Sequence, residues 1–373
     1  MNCGGERSAS IRSPHHKQFS EAEGSLMKFS LFHLPSFFPE FHASEAQFYQ
    51  DMLMETDRAE MYRFHSVWFA EHHFHNYGGH LPSVPVLGTA VAQRTKNIRI
   101  GSGICLIPLQ DPIRVAEEYA LLDCLSDGRL EFGIGRGFQK MEYDAFERDM
   151  GDSRALFDEA HDIIMKAWTE DHFSYEGKFR KVHNLRVIPK PVQKLPPVYV
   201  ACIFTEESFE WAGKMGYNLM TVPYASPDPE FLVGRINIFR NARKAHGHAA
   251  DPEVLGVYHF YCGETPEKAK EEPREAILRY VQSVVASNKE AAYSEQYKMY
   301  RALPQAFQNF NYDYLYPNKV IFGDPDQCVA RIKQILNFGV TNVSLLINFG
   351  GLDHEKIMAS FDRFAKHVMP KFH

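Results

Sequence analysis

The sequence predicts a closed (β/α)8 barrel of the TIM type, with a hairpin inserted after the fourth unit and a long loop before the last strand. Three observations predict it. From Met27 onward, about eight short apolar strands alternate with amphipathic helices and no internal linker intervenes. Strands separated by crossover helices pair in parallel. The chain has 373 residues, 45% of them hydrophobic, a length that one large barrel can absorb. An open dinucleotide-binding sheet would carry GxGxxG after its first strand. None is there, and Gly133-Ile134-Gly135-Arg136-Gly137 has neither that spacing nor that place in the order.

The elements follow in order. Lys28 to Leu34 alternates like a strand and precedes a helix near 45–63. A strand at 66–70 leads into a histidine-rich loop and a helix near 83–94. Ile98 to Ile104 is a third strand. Its helix runs from Pro112 to Ser126, with proline in the first turn, where its missing N–H costs nothing. Asp127-Gly128 turns into the fourth strand, Leu130 to Ile134. Ser153 is read as the N-cap of a helix through Trp168. Phe173 to Phe179 reads as the inserted hairpin. Strands at 198–201, 217–222 and 255–262 alternate with helices at 206–215 and 231–246. Pro266 opens a helix to Ser287. Residues 288–319 lack periodicity and are expected to form a long loop, a mobile lid or a fixed contact. A helix, a strand and a helix at 325–338, 342–348 and 354–368 complete the series.

Residues 1–26 are polar, without the apolar stretch of a signal peptide, and are expected to be a loose extension of a single domain spanning 27–373. No apolar run is long enough to span a bilayer. The formal net charge is −6 and no dense Lys/Arg stripe occurs, so neither nucleic acid nor a membrane surface is expected as a partner. Six cysteines (Cys3, Cys105, Cys124, Cys202, Cys262, Cys328) are scattered without a CxxC pair. Cys105, Cys124, Cys202 and Cys262 lie in apolar contexts, which suggests buried thiols in a reduced, cytoplasmic protein.

The chemistry concentrates in Trp68-Phe69-Ala70-Glu71-His72-His73-Phe74. A strand burying Val67, Trp68 and Phe69 has no structural need for three ionisable groups at its tip. Loops at strand ends are where catalysis collects, and histidine is the commonest general acid/base. Paired histidines also suit a metal if further ligands converge, but no HExxH or cysteine pair points to one, and no metal is assigned. The plainer reading is two polar loop histidines without a role. Other strand ends contribute Gly103 and Ile104, then Gly135, Arg136 and Gly137, then Thr205 and Ser208. Ser153-Arg154 at a helix start, with hydroxyls nearby, has the makings of a phosphate cradle. The plainer reading there is that Ser153 and Thr205 cap helices and Arg154 is a solvated charge.

These residues carry a family likeness. His72 and its neighbours, Ile98 to Pro108, Gly133 to Phe138 and Asp149 to Leu156 resemble the bacterial luciferase family, in its alkanal monooxygenase alpha-chain branch. The likeness continues through Pro197 to Val200, Glu210-Trp211-Ala212 and the C-terminal Val368-Met369-Pro370, and so covers nearly everything after Met27. It implies a flavin-dependent monooxygenase acting on an organic, carbonyl-containing substrate with O2 and reduced FMN. A separate NAD(P)H:flavin reductase supplies the FMN, and the reaction passes through a C4a-hydroperoxyflavin. By the same resemblance His72 is the catalytic base and Arg154 the phosphate anchor, with Thr205 and Ser208 as phosphate-side hydroxyls. Arg136 lies beside the flavin, and a non-prolyl cis peptide under the ring falls at Gly103–Ile104. A homodimer or heterodimer is expected.

The sequence departs from that family on the substrate side. The family's reactive cysteine is Gly135 here, a tyrosine becomes Gln139, a glutamate aligns with Phe204, and His73 joins these as a pocket residue. A roomier pocket, with little light from long-chain aldehydes, is the expectation. Two other functions fit the same barrel: hydride transfer with the deazaflavin F420, and a non-catalytic flavin-binding partner subunit, which would have no need of a base at His72.

Overall fold

The computed structural model describes residues 27–249, 251–287 and 311–372. Eight parallel strands close into a barrel. In chain order they are Lys28–His33, Ser66–Phe69, Arg99–Ser102, Leu130–Gly135, Val198–Ala201, Asn218–Thr221, Val254–Cys262 and Asn342–Leu346. Each pairs with the next, and the eighth returns to the first with Leu31 opposite Leu345. Most of their residues are buried, because helices cover the outside and side chains fill the inside.

Polar residues plug the N-terminal end. Ser30 Oγ lies 2.8 Å from Ser66 Oγ and donates to Asn342 Oδ1 at 2.9 Å, while the Trp68 indole donates to Ser66. Gly101 is required beside that indole, since a Cβ there would come within 2.2 Å of the Trp68 ring. Helix starts are marked by an oxygen-bearing residue followed by proline. Asp111, Asp228, Thr265 and Asp324 each accept from a first-turn amide, ahead of Pro112, Pro229, Pro266 and Pro325.

Several sequence expectations change. The third strand stops at Ser102, where the cis peptide Gly103–Ile104 turns the chain before a short strand Cys105–Leu106. Ser153 is not an N-cap. A 3₁₀ turn over Met150–Asp152, closed by the Asp149 carboxylate on the Gly151 amide, already carries helical geometry into it. Asp152 takes the cap position of the helix Ser153–Thr169. The hairpin extends further than expected, with Phe173–Glu176 against Lys181–Leu185. The helix expected from Pro266 to Ser287 is two, Pro266–Glu271 and Arg274–Ser287, because Pro273 supplies no amide to the helical ladder.

Residues 1–26, the expected extension, and 288–310, most of the expected long loop, lie outside the described residues. The end of that aperiodic stretch forms a helix, Tyr312–Asn318. Cys105, Cys202, Cys262 and Cys328 are buried, whereas Cys124 is exposed, because it sits on the outer face of its helix near exposed Leu121 and Leu125. Among the described residues no helix is long and apolar enough to cross a membrane.

Candidate active site

The second strand delivers the chain to the C-terminal mouth of the barrel, where His72–His73 pairs antiparallel with His80–Leu81. Successive side chains of an extended segment point to opposite faces. His72 therefore lines the central cavity while His73 turns away. His73 Nε2 sits 3.3 Å from Glu71 Oε1, and its ring packs edge-on against Phe146 with centroids 4.9 Å apart. Glu71 also accepts from Gln110 Nε2 at 2.7 Å. Burial pushes the Glu71 carboxyl above its usual range, against the pull of His73 and Gln110.

A short helix, Lys140–Ala145, brings in the residue that the sequence reading missed. Glu142 is fully buried, and its Oε1 takes both His72 Nδ1 and the His73 amide at 2.9 Å. Burial works against its charge. The charge of His72, together with its hydrogen bond, a longer 3.5 Å contact from His75 and the His73 amide, outweighs burial and holds the carboxyl down to about 2. An ionised Glu142 fixes the His72 proton on Nδ1 and leaves Nε2 to exchange protons with a molecule in the cavity. The next residue, Tyr143, donates its hydroxyl to the Arg136 carbonyl and so ties this helix to the end of the fourth strand. The only sequence hint was a carboxylate seven residues beyond Gly135, in a loop without periodicity.

One cavity gathers most of the expected site. His72, Gly103, Ile104 and Gly135 line it, with Arg136, Arg154, Phe204, Thr205 and Ser208. It encloses about 1500 Å³ of empty space, solvent at the mouth included. Thr205 occupies the N-cap position of helix Glu206–Lys214 but does not cap it. Its hydroxyl lies 2.7 Å from Ser208 Oγ instead. Arg154 stands 3.8 Å from Asp158, a loose ion pair on a side chain 37% exposed. Burial raises the thiol of Cys202, another wall residue, against the charges of Arg136 and Arg154, which place two guanidinium groups at this end of the cavity.

Two expected pocket residues lie off the cavity. His73 faces away for the reason above. Gln139 is wholly buried at the start of the short helix and donates to Ser287 Oγ at 3.3 Å. The expected extra room at Gly135 is absent too. A Cβ there would come within 2.0 Å of Ile104 Cδ1, so the neighbouring isoleucine fills the space that a larger side chain would take. Sequence reading also missed Tyr77 and Tyr224, which line the cavity. Tyr224 Oη lies 2.6 Å from Tyr280 Oη behind the wall.

Residues 27–342 match the family model described as luciferase-like monooxygenase. The oxygenase component of a flavin-dependent trigonelline monooxygenase from Acinetobacter baylyi is 27% identical over 368 residues, covering 93% of this chain and 96% of that protein. An alkanal monooxygenase alpha chain from Photorhabdus luminescens is 26% identical over 363 residues, covering 92% of this chain and 96% of that one. A Sinorhizobium fredii protein, y4vJ, is 31% identical over 180 residues; that match spans 48% of this chain and about half of its relative, 51%. Among solved structures, the monooxygenase RslO1 from Streptomyces bottropensis superposes with a TM-score of 0.82 at 28% identity, covering 93% of this chain and all of the other.

Proposed function

The chain belongs to the luciferase-like monooxygenase family, and on that premise we propose that it is the oxygenase component of a two-component system. It takes reduced FMN from a separate NAD(P)H-dependent flavin reductase and transfers one atom of O2 to a small organic substrate. A carbonyl compound, oxidised in Baeyer–Villiger fashion, is the substrate class. The observation that carries this reading is one cavity that joins His72, with its buried carboxylate partner, to two arginines and a pair of hydroxyls engaged with each other.

The residues present fit the cofactor. The Thr205 and Ser208 hydroxyls are engaged with each other and not with helix amides, and Arg154 is held only loosely. Such groups can turn to a phosphate at little cost. Arg154, Thr205 and Ser208 would hold the phosphate, with Arg136 and the Gly103–Ile104 peptide available to the ring. Bound there, reduced FMN supplies the electrons that activate O2. His72 Nε2 exchanges the proton at the substrate's carbonyl oxygen. Glu142 keeps Nδ1–H in place and so acts as a positioning residue. Apolar walls that include Phe32, Leu106 and Val257 keep bulk water from the reacting atoms.

The test is anaerobic titration of the protein with reduced FMN and, separately, reduced F420. Mixing with 18O2 and a panel of cyclic and linear ketones follows. The expected result is preference for reduced FMN and one labelled oxygen in an ester or lactone. Preference for F420, or a product without label, overturns the proposal.

A further inference from the structure

We propose that His72, His75 and Glu142 form a binding site for one divalent transition-metal ion, Zn2+ by its ligand set, and that occupancy of this site blocks proton transfer at His72. One donor atom from each of the three side chains lies within 4.8 Å of the other two. His72 Nδ1 is 2.9 Å and His75 Nε2 3.5 Å from Glu142 Oε1. Ligands held at Zn–N and Zn–O distances of about 2.0–2.2 Å in a tetrahedron lie roughly 3.3 Å apart. The cluster therefore needs only small rotations of side chains to close on an ion.

His75 supplies the second, independent observation. Its side chain is 7% exposed, and neither ring nitrogen makes a well-formed hydrogen bond: Nδ1 has none, and Nε2 has only the long 3.5 Å contact with Glu142 Oε1. Glu142 Oε2 is likewise buried without one. Burying polar atoms unpaired is costly, and an ion ligated by His75 and held by both oxygens of the Glu142 carboxylate would relieve that cost. Oxygen transfer as proposed above has no proton-transfer step at His75 or at that second oxygen. The alternative is that His75 serves only as a packed ring, near-parallel to Tyr77 with centroids 6.1 Å apart. Packing alone accounts for the ring but not for the convergence of three ligand atoms.

The donor set selects the ion. Two imidazoles and one carboxylate suit Zn2+ with an open fourth position, whereas Mg2+ prefers oxygen ligands throughout. Flanking Phe74 and Asn76 are exposed, so an ion can arrive through the loop surface without crossing the cavity. The consequence for His72 follows from its tautomers. A neutral imidazole ligated through Nδ1 carries its proton on Nε2, so the nitrogen left for the cavity can donate but cannot accept. This second half of the proposal rests on the base role assigned to His72; the site itself does not.

The experiment uses the full-length protein, stripped of metal by a chelator and free of flavin. Zn2+ and Mg2+ are titrated by calorimetry, with Co2+ as an absorbing probe. We expect one Zn2+ per chain, no Mg2+ binding, and a Co2+ visible spectrum of low coordination number. His75→Ala and His75→Gln should each weaken Zn2+ binding by more than the ~10–100-fold lost with an outer-shell partner. Both retain His72 and Glu142 and so should stay active enough for inhibition to be read. Zn2+ should inhibit the wild type reversibly and spare both variants. Absence of stoichiometric Zn2+ binding, or equal binding in the His75 variants, overturns the site. Stoichiometric binding with undiminished turnover overturns the block at His72 and leaves the site standing.

Discussion

At the scale of single residues, the site rests on the difference between two adjacent histidines. Chain alternation puts His72 in the cavity and His73 against Glu71 and Phe146. Replacing His72 with alanine should leave FMN affinity nearly intact and slow product formation by ~100-fold or more, the usual reach of a positioned acid/base; wild-type turnover in the variant would refute the role. Arg154→Ala should cost about 1.5–3 kcal/mol of FMN affinity, the worth of a charge-assisted hydrogen bond. Riboflavin, which lacks the phosphate, should bind both proteins alike, and an equal loss for both ligands would show that Arg154 does not read the phosphate. Gly135 matters through Ile104. Gly135→Ala should destabilise by about 1–3 kcal/mol, the cost of overpacking, because its new Cβ meets Ile104 Cδ1 at 2.0 Å. Adding Ile104→Val removes that methyl and should recover much of the loss. Additive denaturation midpoints for the pair would show that the two side chains do not compete for the space.

At the scale of elements, helix starts are written locally and helix interruptions less so. Asp324 caps Pro325–Asn337 in a full capping box, its carboxylate on the Gln327 amide and the Gln327 side chain on its own. Asp324→Ala should lower stability by about 0.5–2 kcal/mol, read as a lower thermal midpoint, while Asp324→Ser keeps most of it. An unchanged midpoint in the alanine variant would mean that tertiary contacts alone hold this helix end. The strands at 66–69 and 198–201 and the helix at 84–94 were legible from apolar periodicity and end signals, which depend on near neighbours. Lys140–Ala145 was not, because six residues give too little periodicity to read. Ser153 misled because a hydroxyl before an apolar run looks like a cap whether or not a 3₁₀ turn precedes it.

At the scale of the molecule, closing the barrel buries polar groups that the open chain would solvate. His259, on the seventh strand, packs against the Tyr224, Tyr280 and Phe349 rings, and its Nε2 has no partner. Burial lowers its pKa from 6.5 to about 3. Below pH 6.5 the unfolded chain takes up a proton at this site and the folded protein does not. Stability from this group is therefore complete above pH 6.5 and falls with acid by about 1.4 kcal/mol per pH unit, down to the folded value. His259→Phe should remove that slope. Urea midpoints of both proteins between pH 7.5 and about pH 5 measure the difference, and parallel curves would mean that His259 already titrates when folded.

The sequence alone determined the barrel, its strand order and the strand-end residues from which a site could be drawn. Alternation, caps and glycine clusters are local, and the family likeness attaches to them. It did not determine which of those residues meet. Glu142 reaches His72 across 70 positions of chain, Ile104 fills the room left at Gly135, and Gln139 turns to Ser287 and away from the cavity. His75 had no reading at all until Glu142 and His72 stood beside it. Contacts of that kind depend on how strands close and how short helices dock on them, and only the packed structure fixes the distances on which hydrogen bonds, overpacking and metal ligation depend.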